Sequence, residues 1–247
     1  MKKWLALAAT AVLGASLLIS GCGSSTNNAS SSGSKEVLKV AANPVPHAEI
    51  LEQVKPILAK EGVDLQIVEF TDYIQPNMAL SSHEVDANFF ANVPYQNNYN
   101  KDHGTNFVSF APVHIEPLAI YSQKIKDLKD LPNGAKVAIP SDPTNSARAL
   151  LLLQSAGLVT LKDPTGLTNT PFDVTSNPKN IQIVELEAAQ IPRSIQDLDA
   201  AVINANYALP AGLNPTKDGL FVEKADSPYA NLLSVNPGDE NLSLIHI

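Results

Sequence analysis

Apolar residues along the chain follow two periods in turn. Leu38, Val40 and Ala42 stand at every second position between polar neighbours, the repeat of a strand with one buried face. Asn43-Pro44-Val45-Pro46 interrupts the alternation. From His47 to Lys60 the period lengthens, with Ile50, Val54, Ile57 and Leu58 at helical spacing, Glu49 and Glu52 in the positive first turn, and Gly62 as the stop. Pro56 inside this run predicts a kink. The exchange continues with a strand over Asp64 to Phe70, a short helix over Gln75 to Ser81, a strand over Val85 to Phe90, a helix over Tyr95 to His103 and a strand over Phe107 to Phe110. A second series has strands at Pro117 to Tyr121 and Lys136 to Ile139, a helix at Thr144 to Ala156, a strand at Ile181 to Leu186, a short helix from Ile191 and a strand at Ala200 to Ile203. Strands alternating with helices predict parallel sheets covered by helices, and two such series predict an α/β protein of two lobes. Lys162 to Asn180, rich in Pro, Thr and Asn, reads as a long surface loop.

The first residues follow neither period. Lys2 and Lys3 precede an apolar run from Trp4 to Ile19 that ends in Ser20-Gly21-Cys22, the charged, apolar and small-residue order of an export signal. The run is shorter than the ~20 apolar residues that span hydrocarbon, so removal of residues 1–21 is expected. Cys22 is the single cysteine and has no partner within the chain for a disulfide. Its Ile-Ser-Gly-Cys context resembles the bacterial lipobox, which implies a diacylated N-terminal cysteine; a free thiol beyond an ordinary cleavage site is the alternative. Residues 22–35 are then the lipidated Cys22 and a flexible tether of Gly, Ser, Thr, Asn and Ala. A formal net charge of -8 with no basic stripe argues against nucleic acid as a partner.

Several dense motifs then narrow the reading: Pro46-His47-Ala48-Glu49-Ile50-Leu51-Glu52, Val68-Glu69-Phe70-Thr71-Asp72-Tyr73 with Pro76-Asn77, Ser141-Asp142-Pro143-Thr144-Asn145-Ser146-Ala147-Arg148-Ala149-Leu150, Val184 to Ser194, Ala201 to Asn204 with Tyr207-Ala208, and Ser227-Pro228-Tyr229-Ala230-Asn231. From about Leu38 to about Glu240 the chain resembles the NlpA-type methionine-binding lipoproteins of ABC importers. The resemblance implies a two-lobed periplasmic-binding-protein-like (type II solute-binding) fold with the ligand in the interlobe cleft. Lobe 1 is expected over 36–116 plus 206–247 and lobe 2 over 117–205. The implied function is capture of methionine, or of another small apolar amino acid or a methionine-containing dipeptide. Delivery would be to the permease and ATPase of the importer, from a lipid anchor on the extracytoplasmic face of the membrane. No cofactor is implied.

A free amino acid is a zwitterion, so a dry site must offer donors to its carboxylate, acceptors to its ammonium and a shaped apolar slot to its side chain. Arg148 suits the carboxylate: it falls in the first turn of the helix opened by Asp142-Pro143-Thr144, and its guanidinium can grip an anion bidentately. A solvated arginine on an apolar helix is the plain alternative. Asn204 and Asn206 follow an apolar strand, at the end where open α/β sheets bind ligands; either could instead cap the next helix. Asn231 reads on its own as a loop-former, and the resemblance gives it and Asn204 to the ligand, with Asn231 expected at the ammonium. Tyr73, Phe89, Phe90, Tyr95 and His114 are candidates for a slot around a polarizable thioether, with strand core as the plain alternative. Glu116 joins His114 at the cleft edge. The family commonly carries Gln-His where this chain has Ala91-Asn92.

Other classes find less support. There is no G-x-S-x-G and the one cysteine lies at the lipid site, so no catalytic constellation offers itself and an enzyme is not expected. A metal-binding lipoprotein would need converging ligands, yet His47, His83, His103 and His114 lie scattered without ligand spacing, so no metal is expected. An adhesion protein on the same fold would have no need of the full set Arg148, Asn204 and Asn231. After about residue 241 the chain, ending Leu242-Ser243-Leu244-Ile245-His246-Ile247, departs from the family's helical tail and is expected to be truncated or aberrant there. Cys22→Ala is expected to leave the protein exported but free of membranes, because the tether has no apolar surface to hold it. Fractionation with a high-salt wash checks this, and a substituted protein that still pellets would contradict anchoring at Cys22.

Overall fold

A computed structural model describes residues 36–241; the expected signal segment, Cys22, the tether and residues 242–247 lie outside the described residues. Alternating strands and helices build two five-stranded sheets. In the first, β1 (Glu36–Ala42), β2 (Val63–Glu69) and β3 (Ala87–Asn92) are parallel, while β12 (Ala230–Val235) runs antiparallel between β3 and β4 (Val108–Ile115). In the second, β6 (Lys136–Pro140), β9 (Gln182–Leu186) and β10 (Ala200–Ile203) are parallel. There β5 (Ala119–Tyr121) pairs antiparallel with β10, and β11 (Phe221–Val222) pairs antiparallel with β5.

Both faces of each sheet are covered, and side-chain alternation divides the apolar residues between the faces. Leu38, Val40 and Ala42 pack with Leu51 and Leu58 of helix α1 (Glu49–Lys60), while Ala41 faces Ala79 and Leu80 of α2 (Gln75–Ser81) and Tyr99 of α3 (Val93–His103). Val137, Ile139, Ala200 and Val202 pack with Leu150 and Leu153 of α4 (Pro143–Ser155). On the reverse face Ala138, Ala201 and Ile203 meet Ile191 of α5 (Ile191–Ser194) and Ala208 of α6 (Ala205–Ala208). Helix α4 is buried on most of its circumference because α3 packs on it as well as the sheet. Among the described residues no helix is long and apolar enough to cross a membrane.

Three expectations change. Helix α1 runs unbroken through Pro56; the interruption comes before it, over Pro44–Ala48, where Val45 is extended (φ -125, ψ 131). Gly62 does follow the helix, with φ +88, a backbone conformation glycine adopts without strain. The expected loop over Lys162 to Asn180 is partly ordered: β7 (Thr160–Leu161) pairs antiparallel with β8 (Val174–Ser176), and a capped turn at Pro171–Asp173 precedes β8. Finally, the chain does not return to the first sheet at Asn206. Tyr207, Ala208 and Leu213 pack with Ile203, and β11 adds to the second sheet, so the return falls between Val222 and Ala230. The apolar contacts of α6 and the edge of β5 hold this stretch where sequence alternation gave no sign of it.

Leu153 has no solvent exposure in the core beneath α4. Leu153→Ala is expected to destabilise the protein by about 2–5 kcal/mol through lost burial and a residual cavity, read as a lowered midpoint in urea at unchanged slope.

Candidate functional site

The carboxyl ends of parallel strands from both sheets face one cleft, the place where open α/β sheets hold ligands. Asn43 follows β1, Asn92 ends β3, Asp142 follows β6 and Asn204 follows β10. Tyr73, Phe90, Ala91, Asn92, Tyr95, Glu116, Asn145, Arg148, Asn204, Ala205, Asn206 and Asn231 enclose about 360 Å³ of empty space, part of it open to solvent.

Arg148 lies in the second turn of α4, not the first, so the helix does not present its free backbone N–H groups beside the guanidinium. Its side chain is 4% exposed and reaches the two places where the chain passes between sheets. Nε donates to Glu223 Oε1 at 3.0 Å, Nη2 donates to Glu223 Oε2, and Nη2 also donates to the Glu116 carbonyl at 2.8 Å. The Tyr229 ring lies under the guanidinium, 4.3 Å from centroid to Cζ. One edge of the fork is therefore already bound to a protein carboxylate, and the expected bidentate grip on a ligand through that edge is ruled out. Among the described residues Nη1 remains as the donor without a protein partner.

His47, His114 and Glu116, far apart in sequence, meet behind this point. His47 Nε2 and His114 Nε2 lie 3.0 and 2.8 Å from the same oxygen, Glu116 Oε1. An ionised carboxylate only accepts, so both imidazoles donate from Nε2. Burial raises the Glu116 pKa, but the hydrogen bonds from His114 and His47 outweigh it and bring the group down to about 2. The expectation that the histidines are scattered fails here: the ligating atoms of these three residues lie within 4.8 Å of one another. Each Nε2 is occupied by the carboxylate, while among the described residues His47 Nδ1 and His114 Nδ1 are buried without a hydrogen-bond partner. His114 does not line the space; it and Phe89 stand behind the wall, ring to ring at 5.5 Å, with His47 4.9 Å from Phe89.

The amides can be oriented from these fixed charges. His47 Nε2 also contacts Asn231 Oδ1 at 3.3 Å, and because that nitrogen carries a proton, Asn231 accepts with its oxygen and keeps Nδ2 as a donor. Asn231 is no loop residue: it sits in β12, paired with Asn92 and His114. Asn204 occupies the cap position of α6 without capping it; its Nδ2 donates to Asn145 Oδ1 at 2.9 Å, and its own Oδ1 is buried without a partner among the described residues. Asn92, at the departure from the family pattern, caps α3 by accepting from the Tyr95 backbone N–H at 3.0 Å.

Aromatic residues close the other end. Tyr73, Phe90 and Tyr95 lie with ring centroids 5.8 to 6.0 Å apart. Tyr73 Oη donates to Asn206 Oδ1 at 2.6 Å, and Asn206 Nδ2 donates to Asn43 Oδ1 at 3.4 Å, so Asn206 ties the strand ends of one sheet to those of the other. Burial pushes the Tyr73 and Tyr95 hydroxyls up, keeping them neutral donors. Asp142 is also raised by burial, against the hydrogen bonds it accepts from Asn145. His47, Asn145, Glu223 and Tyr229 were not among the expected site residues. The first two and Tyr229 lie inside the quoted motifs, where residue type alone did not mark them; Glu223 lies in none.

Two α/β sheets joined by paired crossings, with strand carboxyl ends around a polar cleft, define a solute-binding protein of the periplasmic-binding-protein type. The chain belongs to the NlpA lipoprotein family, whose model matches residues 38–245. It is 45% identical to the D-methionine-binding lipoprotein MetQ of Salmonella typhimurium over 235 residues, 94% of this chain and 84% of the relative. The crystal structure of lipoprotein Tp32 from Treponema pallidum superposes with a TM-score of 0.83 at 42% identity, covering 86% of this chain and 88% of that one. A nutrient binding protein from Burkholderia cenocepacia, its structure bound to methionine, gives a TM-score of 0.80 at 47% identity over 85% of this chain and 88% of its own.

Truncating Glu223 leaves the buried Arg148 guanidinium without its carboxylate. Glu223→Ala is expected to lower unfolding free energy by roughly 3–5 kcal/mol, measured in urea, whereas Lys224→Ala, at the exposed neighbouring position, should stay within about 0.5 kcal/mol of the parent.

Proposed function

We propose that this chain captures methionine as a zwitterion in the cleft and delivers it to the permease and ATPase of an ABC importer, held at the extracytoplasmic face of the membrane by lipid on Cys22. The observation that carries the reading is the opposed polarity of the unpartnered groups around the cleft. Arg148 Nη1 and Asn231 Nδ2 are donors suited to a carboxylate. Asn204 Oδ1 and the second oxygen of Glu116 are acceptors suited to an ammonium. Asn231 thereby moves from the ammonium to the carboxylate. The Tyr73, Phe90 and Tyr95 rings supply faces and edges for a thioether. The methionine-bound relative and the D-methionine-binding relatives support the choice of side chain.

The reading assigns the sheets to lobes spanning about 36–116 with 223–241, and about 117–222. Asn206 and Tyr207 join them across the cleft in the closed form. Methionine that bridges both lobes favours that form over an open one, as differential affinity requires.

Calorimetric titration of L- and D-methionine separates the outcomes. The parent protein should bind at least one enantiomer, and Lys162→Ala, a charge loss outside the cleft, should match it. Arg148→Ala and Asn231→Ala should weaken binding by about 3–5 kcal/mol, or roughly two to four orders of magnitude, because each strands a ligand charge in a dry site. Parent-like affinity in both variants would overturn the assignment of the carboxylate.

A further inference from the structure

The polarity of Asn204 is not a property of Asn204. An amide can offer either its oxygen or its NH₂ group, and the choice is made by whatever holds its other end. Here that end is held by a relay. Asp142, at the start of α4, accepts the Asn145 backbone N–H at 2.9 Å. It also accepts the Asn145 side-chain Nδ2, at 3.0 Å to each carboxylate oxygen. A carboxylate has no proton to give, so Asn145 must turn its NH₂ group to Asp142 and its oxygen away. That oxygen accepts from Asn204 Nδ2 at 2.9 Å, which leaves Asn204 Oδ1 turned to the cleft wall, buried and without a protein partner among the described residues. Asn145 and Asn204 are 2% and 8% exposed, so water does not offer an easy alternative orientation.

We infer that Asp142 and Asn145 are positioning residues that fix Asn204 as a hydrogen-bond acceptor, and thereby make the site select an α-ammonium over an isosteric α-hydroxyl. This rests on the amino-acid reading above and adds to it the origin of the selection. An ammonium brings three donors and no acceptor, so it satisfies both Asn204 Oδ1 and the Glu116 carboxylate. A hydroxyl brings one proton and leaves one of these buried acceptors unpaired. If the relay is cut, Asn204 is free to rotate its NH₂ group toward the ligand, where it repels an ammonium and can still donate to a hydroxyl oxygen.

The test titrates L-methionine, D-methionine and 2-hydroxy-4-(methylthio)butanoate into the full chain and two variants. The parent should prefer methionine to the hydroxy acid by at least about 100-fold, since sites that hydrogen-bond a substrate N–H reject analogues lacking it strongly. Asn145→Leu, near in shape but unable to relay, should cut that ratio by about tenfold or more, mainly by weakening methionine. Adding Asn204→Asp to Asn145→Leu supplies an acceptor that needs no relay and should restore the preference for the amine. A merely structural role for Asn145 would weaken all ligands together and would not be rescued. An unchanged ratio in Asn145→Leu, or failure of Asn204→Asp to restore it, overturns the inference. A parent that binds neither methionine enantiomer overturns the amino-acid reading itself, a result seen before any variant is made.

Discussion

The Arg148–Glu223 ion pair is the constraint on which the cleft depends, because it joins a helix of one sheet to both passages of the chain between sheets. Arg148 projects from α4, binds the Glu223 carboxylate on the returning passage and the Glu116 carbonyl on the outgoing one, and lies on the Tyr229 ring. The two passages are also bonded to each other, Glu223 N–H to the Leu118 carbonyl at 2.8 Å and Leu118 N–H to Glu223 Oε2 at 3.3 Å. A buried cation with five donors is costly to leave unmet, so the guanidinium fixes the separation of these segments and with it the placing of Glu116 and Asn231. The same saturation leaves Nη1 as the donor for a ligand. The arginine is thus a structural tie first, and its capacity to bind an anion is what remains after the protein has been served.

A second regularity follows from burying amides near charges. Five asparagines, Asn92, Asn145, Asn204, Asn206 and Asn231, line the space, and each is ambiguous in isolation. Three are resolved by acceptor-only carboxylates: Asn145 directly by Asp142, Asn204 at one remove, and Asn231 through His47 and Glu116. A fourth, Asn92, is resolved by the backbone N–H it caps. Ionised groups with only one hydrogen-bonding sense thereby fix which of the buried amides around the cleft turns its oxygen and which its NH₂ group to a neighbour. In a low-dielectric site such networks are stiff, since rotating one amide would leave several buried groups unpaired. The pairing of Tyr73 with Asn206 gives the aromatic end a similar attachment across the cleft.

The amino-acid sequence by itself determined what is local. Period two and period 3.6 placed most of the strands and helices of both sheets, β12 excepted, because burying one face of a strand or helix leaves a mark every second or every third to fourth residue. Asn43-Pro44-Val45-Pro46 marked where β1 stops, and dense motifs carried the family and most of the residues around the cleft. Tertiary structure decided what depends on residues meeting from afar. Val222 joining β5, rather than returning with Asn206, follows from an edge offered by a strand about a hundred residues earlier. His47 and His114, without ligand spacing in the chain, converge because Glu116 holds both. Glu223 lies in no motif and shows its role only where Arg148 reaches it. The donor or acceptor sense of each asparagine was likewise beyond sequence, since an amide takes its polarity from the groups packed against it, and only the folded chain says which those are.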